Sequence, residues 1–484
     1  MRLADLMAPD PVDAELASLD ITGMTLDSRK IETGYLFAAL PGVQVHGRDF
    51  AAQAVARGAV AVLSDGPIEG LGVPVIVVTD AAAELARIAA RYYPGQPAHV
   101  VAVTGTNGKS STVEFLRQIW SAAGIDGASL GTLGVARGGT IETTGYTTPD
   151  AVALHIALDR LAASGVTHLG MEASSHGLKQ RRMDGVRLEI GGFTNLTQDH
   201  LDYHPDFTDY IACKERLFTE RLPVDGRAVI NVDSKSGVAM AETARKRGLG
   251  VTTLGWRGED LQIVEITPRS ASQDVVFSWN DHEYRVEIPL VGEFQILNAL
   301  LAAALALVGG IKFETVLSTL GCLTGVPGRL EKVGETGAQA PILVDYAHTP
   351  DGIDKLLRAA RPHTRGRIII VFGCGGDRDT SKREIMGSIA AKQADQIIIT
   401  DDNPRSEDPA SIRAAILKGC PQAREIADRA EAIRVGVGML GDGDCLLVAG
   451  KGHETGQSMG GTVYPFDDRV ESRAALAELE AVNG

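Results

Sequence analysis

"VAVTGTNGKSST", residues 101–112, is the stretch on which the fold turns. The apolar run Val100 to Val103 is a short buried-strand pattern, and it stops at a threonine and Gly105. Beyond Lys109 the apolar residues Val113, Leu116 and Trp120 fall at helical spacing, and Gly124 can close that helix. Strand, glycine loop and helix N-terminus together make an anion site. Gly105 and Gly108 allow backbone N–H groups to turn inward, and the helix dipole favours phosphate. Lys109 is expected to reach the outer phosphates of a nucleotide, and the Ser110 hydroxyl to hold Mg²⁺. Thr106, Asn107 and Ser111 fill out the loop. Its form is G-x-x-G-K-S; the common phosphate loop would carry a glycine where Val103 stands.

Outward from this loop the chain alternates strand and helix patterns, so the expected class is α/β. Before it come "GYLFAAL", "FAAQAVARGA", "VAVLSD" and "VPVIVVTD". After it come "THLGMEASSHG", "IGGFTNLTQDH" and "RAVINVDS", and later "PILVDYAH", "RIIIVFGCGGDRD", "DQIIITDDNPR" and "CLLVAGKGHE". Proline and glycine cluster in "YYPGQPAH" at 92–99, and glycine in "LTGVPGRLEKVGETGAQAP" at 323–341. These breaks predict three domains, 1–97, 98–327 and 328–484. The apolar window "ALLAAALALVGG" is too short to span a bilayer and reads as a buried helix.

The 484 residues are too many for one ordinary core. The net charge of −15 and the lack of a basic stripe disfavour a nucleic-acid partner. Five scattered cysteines with no C-x-x-C fit a reducing cytoplasm and argue against structural zinc. The opening "MRLADLMAPD" carries acids early and is not a signal peptide pattern, so a cytoplasmic location without membrane insertion is expected.

Apolar strands that run straight into acids, histidines and arginines mark the carboxyl edge of a parallel sheet, where α/β proteins bind ligands. Glu172 follows "THLGM", and His200 lies in "NLTQDHLDYH" with Asp199, Asp202 and His204 close by. Hard oxygen ligands beside a phosphate loop suggest Mg²⁺, although a solvated loop gives the same pattern. Asp345 and His348 end "VDYAH"; Arg378 and Arg383 lie in a glycine-rich turn. Asn403 and Arg405 flank Pro404, and Lys451, His453 and Glu454 share "AGKGHE". Cys374 has no evident histidine partner and reads as a small packed residue. Lys214, in "YIACKERLF", reads on helical spacing alone as a surface lysine.

These residues resemble a family. "GTNGKSST", "TTPD" at 147–150, "EASSHGL" at 172–178, "NLTQDHLDYH", "GEFQILNALLAAA", "GRLE" at 328–331, "VDYAHTPD", "FGCGGDRD", "TDDNPR" and "AGKGHE" occur in order along nearly the whole chain. The chain is similar to the Mur ligases, ATP-dependent amide-bond-forming enzymes of peptidoglycan synthesis. The resemblance implies three domains, with a central P-loop ATPase-like parallel sheet and a C-terminal Rossmann-like domain. It implies that Leu26, Ser28 and the stretch Val43, Gln44 and Val45 contact a UDP-sugar. Thr147, Thr148, Ser174, Gln180 and Arg182 would hold the muramoyl-peptide. Lys109, Asn298, Arg329, Asp345 and His348 would serve ATP, and Ser110, Glu172 and His200 would serve Mg²⁺. In the family the lysine matching Lys214 is carbamylated; the modification turns a cation, which would repel Mg²⁺, into an anion. Lys109, Lys214, His200 and Glu172 are thus the expected catalytic group.

The implied reaction phosphorylates the D-Glu γ-carboxylate of UDP-MurNAc-L-Ala-D-Glu, and an incoming amine displaces phosphate from the acyl phosphate. Such a product serves the cell wall, and through it cell shape and division. The expected amine is meso-diaminopimelate. Arg405 can grip its second carboxylate, with Arg378, Asp402, Asn403, Pro404, Gly450 and Glu454 as the remaining contacts. The same reaction with L-lysine is the alternative, as is a folylpolyglutamate-synthase-like ligation, which shares the phosphate loop. "DNPR" and "EASSHGL" argue against the latter. A nucleotide-gated scaffold that has lost ligation is a further alternative, disfavoured by the full set of metal and phosphate residues. A monomer is expected.

Overall fold

The computed structural model describes residues 1–8, 13–42, 45–143, 145–197 and 203–483. The chain packs as two compact units, Met1–Leu254 with Ala304–Ile311, and Gly255–Ala303 with Lys312–Gly484.

The first unit opens on a small parallel sheet, Gly23–Thr25, Tyr35–Ala38, Ala61–Ser64 and Val75–Val77, in that spatial order. The helix Ala81–Tyr92 follows. Asp80 caps it by accepting from the Ala83 N–H at 2.9 Å, and Leu85, Ala86, Ile88 and Ala89 form its buried face. That face shares a core with Leu36, Leu63 and Ile76, and with Ala151 and Val152 of the helix Ala151–Ala163.

A larger sheet follows, in the order Gly250–Gly255, Arg227–Asn231, Ile190–Phe193, His99–Thr104, His168–Glu172, Gly127–Gly131, Gly134–Arg137 and Thr140–Glu142. The first six run parallel; the last two return antiparallel. Val100 to Val103 are buried between neighbours on both sides, which is why this strand is apolar throughout. Its register does the positioning. Val103 pairs with Glu172 and Thr104 with Phe193, so three strands end at one level.

The second unit contains an antiparallel meander, Leu261–Pro268, Gln273–Trp279 and His282–Ile288, which is not among the patterns above. Its exposed positions are mostly charged and polar, Val264 aside, so the strands lack a continuous apolar signature. The window "ALLAAALALV" is helical within Glu293–Val308, with Ala299 to Ala306 buried as expected.

The second unit's main sheet runs Glu331–Glu335, Pro341–Asp345, Cys445–Ala449, Ile368–Phe372, Gln396–Ile399 and Arg424–Glu425. All pairs but the first are parallel. Asp345 pairs with Ala449, Val371 with Val448 and Phe372 with Ile399, so the segments after 345, 372, 399 and 449 emerge along one edge. A fully buried ion pair braces that edge. Arg429 Nε and Nη2 donate to the two oxygens of Asp468 at 2.7 and 2.8 Å. The same guanidinium donates to the carbonyls of Ala449 at 2.9 Å and Asp401 at 3.4 Å. Asp468 is the first residue of the helix Asp468–Asn483.

Candidate active site

The phosphate loop of the first unit has the expected form: the strand His99–Thr104, a turn, then the helix Lys109–Ala122. Gly105 and Gly108 lie at φ +147° and +86°, and a Cβ on Gly105 would fall 1.8 Å from Thr194 Oγ1. Glycine is therefore required at 105 on both counts. The loop is pinned from the next strand. Thr106 N–H donates to the Asn195 carbonyl at 2.9 Å, Asn107 N–H to Asn195 Oδ1 at 3.1 Å, and Thr194 Oγ1 to the Asn107 carbonyl at 2.6 Å. Lys109 Nζ folds over the loop and donates to the carbonyls of Gly105 and Thr106 at 3.0 and 2.8 Å.

Glu172 is 1% exposed. It accepts from Ser110 Oγ at 2.7 Å and from Thr132 N–H at 2.8 Å. Gly131 makes the room, since a Cβ there would sit 1.9 Å from Glu172 Oε1. The two predicted oxygen ligands thus meet.

Lys214 corrects the surface reading of its helix. It is 1% exposed, and its Nζ donates to the Gly105 carbonyl at 2.8 Å. Helical spacing places Tyr210, Cys213 and Lys214 on the inward side of Phe207–Arg216, and an apolar count cannot tell a buried lysine from an exposed one. Tyr210, which the sequence reading passed over, ties this helix to the loop. Its ring lies 4.5 Å from Lys214 Nζ and its hydroxyl 3.0 Å from Thr106 Oγ1.

The muramoyl-peptide candidates form one network. Thr148 Oγ1 donates to the Glu172 carbonyl at 2.8 Å and accepts from Ser174 Oγ at 3.0 Å. Arg182 donates to the Thr148 carbonyl at 2.6 Å and to Gln180 Oε1 at 2.7 and 3.0 Å. Burial holds the Arg182 guanidinium below its usual pKa. Thr147 Oγ1 lies 3.0 Å from Thr132 Oγ1. In the small sheet's loops Leu26 is half-buried, Ser28 Oγ donates to Gln53 Oε1 at 2.8 Å and Val45 is exposed. Val43, Gln44 and His200, with Asp199 and Asp202, lie outside the described residues.

In the second unit Asn298 Nδ2 donates to Gln295 Oε1 at 3.1 Å, and Gln295 Nε2 to the Arg329 carbonyl at 3.0 Å. Arg329 stacks over Tyr346, 5.0 Å from its centroid. Asp345 accepts from the N–H groups of Leu330 and Ala347, each at 2.8 Å. Desolvation pushes its carboxyl above the ordinary range, opposed by Arg329. His348 Nδ1 lies 2.8 Å from the Tyr346 carbonyl. Asn298, Arg329, Asp345 and Tyr346 therefore form one neighbourhood, and Gln295 is the link that sequence reading missed.

The amino-acid candidates share the adjoining strand ends. Asn403 Nδ2 donates to Glu454 Oε2 at 2.9 Å, and its Oδ1 accepts from Lys451 Nζ at 3.1 Å and Ser458 N–H at 2.9 Å. Asp402 is buried against Gly450, where a Cβ would meet its Oδ2 at 2.3 Å. Arg405 Nη1 donates to the Gly376 carbonyl at 2.7 Å. Pro404 is buried and Arg378 exposed. Cys374 is packed against Met386 and its thiol is pushed up to about 12 by burial, which disqualifies it as a nucleophile.

Three family models match: "Mur ligase family, catalytic domain" over 20–93, "Mur ligase middle domain" over 103–306 and "Mur ligase, glutamate ligase domain" over 328–452. The chain is 50% identical to UDP-N-acetylmuramoyl-L-alanyl-D-glutamate--2,6-diaminopimelate ligase of Caulobacter vibrioides, with 99% of each chain covered. It is 49% identical to the protein of the same name in Bradyrhizobium diazoefficiens, covering 99% of this chain and 100% of the relative. A solved structure of a ligase of that name superposes with a TM-score of 0.74 at 34% identity, over 98% of both chains.

Proposed function

The chain belongs to the Mur ligase family, and from that premise we propose that it joins meso-2,6-diaminopimelate to the D-Glu γ-carboxylate of UDP-MurNAc-L-Ala-D-Glu at the expense of ATP. The observation that carries the reading is the meeting of Asn403, Lys451 and Glu454 at the turn that bears Arg405. It occurs in a chain half identical to ligases whose names specify diaminopimelate. The match of three family models also supports reading three domains, 1–97, 98–327 and 328–484. Among the described residues no helix is long and apolar enough to cross a membrane.

Transfer of the γ-phosphoryl of ATP to the D-Glu carboxylate yields ADP and an acyl phosphate. The amine then attacks the acyl carbon, loses a proton, and the tetrahedral intermediate expels inorganic phosphate. Little covalent chemistry is left to the protein, so positioning and charge neutralisation do most of the work. Lys109 and the N-terminus of its helix neutralise the phosphates. Arg182, tied to Thr148 and Gln180, orients the peptide carboxylate. Arg405 and Asn403 hold the amino acid by its carboxylates, leaving its amine free to attack.

The oxygens of Ser110 and Glu172 are hard donors already side by side, in space that Gly131 leaves open, so they fit Mg²⁺. His200 and a carbamate on Lys214 complete the proposed ligand set. Bound there, Mg²⁺ supplies charge neutralisation for the phosphoryl oxygens.

The test is phosphate release by the purified protein with ATP, Mg²⁺, UDP-MurNAc-L-Ala-D-Glu and a panel of amino acids. Release that requires both the dipeptide and an amino acid, with diaminopimelate the best substrate, is expected. A preference for L-lysine, or release independent of the dipeptide, overturns the reading.

A further inference from the structure

Arg405 sits at φ +54°, in the left-handed region that side chains seldom occupy. Its neighbour Asp377 also sits at φ +54°. Such positions persist where the surroundings over-determine them. Arg405 N–H donates to the Ser458 carbonyl at 2.9 Å, its carbonyl accepts from Gly460 N–H at 2.7 Å, and its guanidinium is anchored on Gly376. Beside it is a cavity of 220 Å³, lined by Arg405, Asp377, Ser406, Ser458, Thr462 and Val463 among others.

Asp377 feels the charge of this arginine, and two further acids, Glu407 and Asp408, follow it within three residues; each of the three has partners of its own. Asp377 accepts from the Ser406 N–H at 3.1 Å and hydroxyl at 2.7 Å. Asp408 caps the helix Pro409–Leu417, accepting from Ser411 N–H at 3.1 Å. Glu407 is taken by Arg383, whose Nη2 donates to its two oxygens at 2.9 and 3.0 Å, and also accepts from the Asp377 N–H at 2.6 Å, so Arg383 is its one charged partner among the described contacts. Arg383 is 4% exposed and also reaches the Gly375 carbonyl at 3.3 Å. A buried guanidinium needs an anion, so Glu407 is held firmly. Glu407 lies two residues from Arg405, and both side chains flank Gly376, so a Glu407 released from Arg383 is a competing carboxylate for it.

We infer that Arg383 is a positioning residue for amino-acid selection: by sequestering Glu407 it leaves the Arg405 guanidinium available to the second carboxylate of diaminopimelate. In this inference Arg383 acts through Glu407, not on the substrate itself. The inference rests on the reading of Arg405 as the carboxylate-binding group. An uncompensated Glu407 would pair with Arg405 and quench it, in the way like-signed groups compete for one cation.

The experiment measures kcat and KM for diaminopimelate and L-lysine in wild type, Arg383→Met, Glu407→Gln, the double variant and Arg405→Ala, with melting temperatures alongside. Arg383→Met is expected to raise KM for diaminopimelate by about tenfold, the loss of one charge-assisted contact, with KM for ATP unchanged. Adding Glu407→Gln should restore most of that loss, which a merely structural role would not allow. A folded Arg383→Met with normal KM for diaminopimelate, or a double variant no better than the single, overturns the inference. Where Arg383→Met does not fold, Arg383→Lys gives the same comparison, because an ammonium cannot hold both oxygens in the same way. Should Arg405→Ala keep the preference for diaminopimelate, the reading of Arg405 fails and this inference falls with it. Loss of that preference in Arg405→Ala with no effect at Arg383 removes this inference alone.

Discussion

The ammonium groups of Lys109 and Lys214 donate to the same acceptor, the carbonyl of Gly105, at 3.0 and 2.8 Å. Two lysines more than a hundred residues apart thus converge on one backbone oxygen. One stands at the head of the phosphate-loop helix and the other is buried under Tyr210. With both as ammonium groups the loop is strongly cationic. Carbamylation of Lys214 would leave Lys109 as the cation for the nucleotide and create an anion for the metal.

Lys109→Ala should therefore lose catalysis and keep the fold. Removing one preorganised charge aimed at a transferring phosphoryl costs about 3–4 kcal/mol, or on the order of 10²–10³ in kcat. Circular dichroism and melting temperature should be near wild type, since the carbonyls of Gly105 and Thr106 that Lys109 Nζ reaches belong to its own loop. Near-normal turnover in a folded variant would remove the phosphate-loop assignment.

For Lys214 the expected species is the carbamate. Lys214→Ala should be nearly inactive, and short carboxylates added to the assay should restore part of the rate. Native mass spectrometry should detect the carbon dioxide adduct. An active enzyme carrying only free lysine at this position would refute it.

Arg405→Ala should cost roughly 2–5 kcal/mol in kcat/KM for diaminopimelate, the range for truncating a partly buried charged contact. Lysine lacks the second carboxylate, so its poor use should change far less. Equal losses for both amino acids would remove Arg405 as the selector.

His155 sets a pH dependence of stability. It is 2% exposed, its Nε2 lies under Gly185, and burial, aided by Arg187, lowers its pKa from 6.5 to about 4. The folded state thus holds it neutral while the unfolded chain takes up a proton below 6.5. The contribution is fully present above pH 6.5 and is lost as pH falls through about 4, by about 3 kcal/mol in all. Urea melts between pH 7.5 and 4.5 should show wild type losing stability faster than His155→Leu as pH falls. Parallel curves would exclude His155 as the source.

What was legible in the sequence was what backbone geometry or strand polarity demands. Gly105 and Gly108 announce left-handed turns, and Glu172 and Asp345 stand out because each ends an apolar strand. Lys214 was legible only through family resemblance, because helical spacing says which residues share a face and not whether that face is covered. Tyr210 and Gln295 escaped for another reason. Each acts through a partner distant in sequence (Thr106 and Arg329), and no local pattern encodes such a meeting.

The ion pair of Arg429 and Asp468 carries a consequence for the order in which the molecule is made. Arg429 leaves the ribosome 39 residues ahead of its counter-charge. Until Asp468 arrives, the guanidinium that braces the carbonyls of Asp401 and Ala449 can enter the interior only uncompensated, at several kcal/mol. The strands that carry "DDNPR" and "AGKGHE" are thus synthesised well before they can be sealed. Translation order and folding order diverge here, and the edge proposed to receive the amino acid is among the last parts of its unit to close.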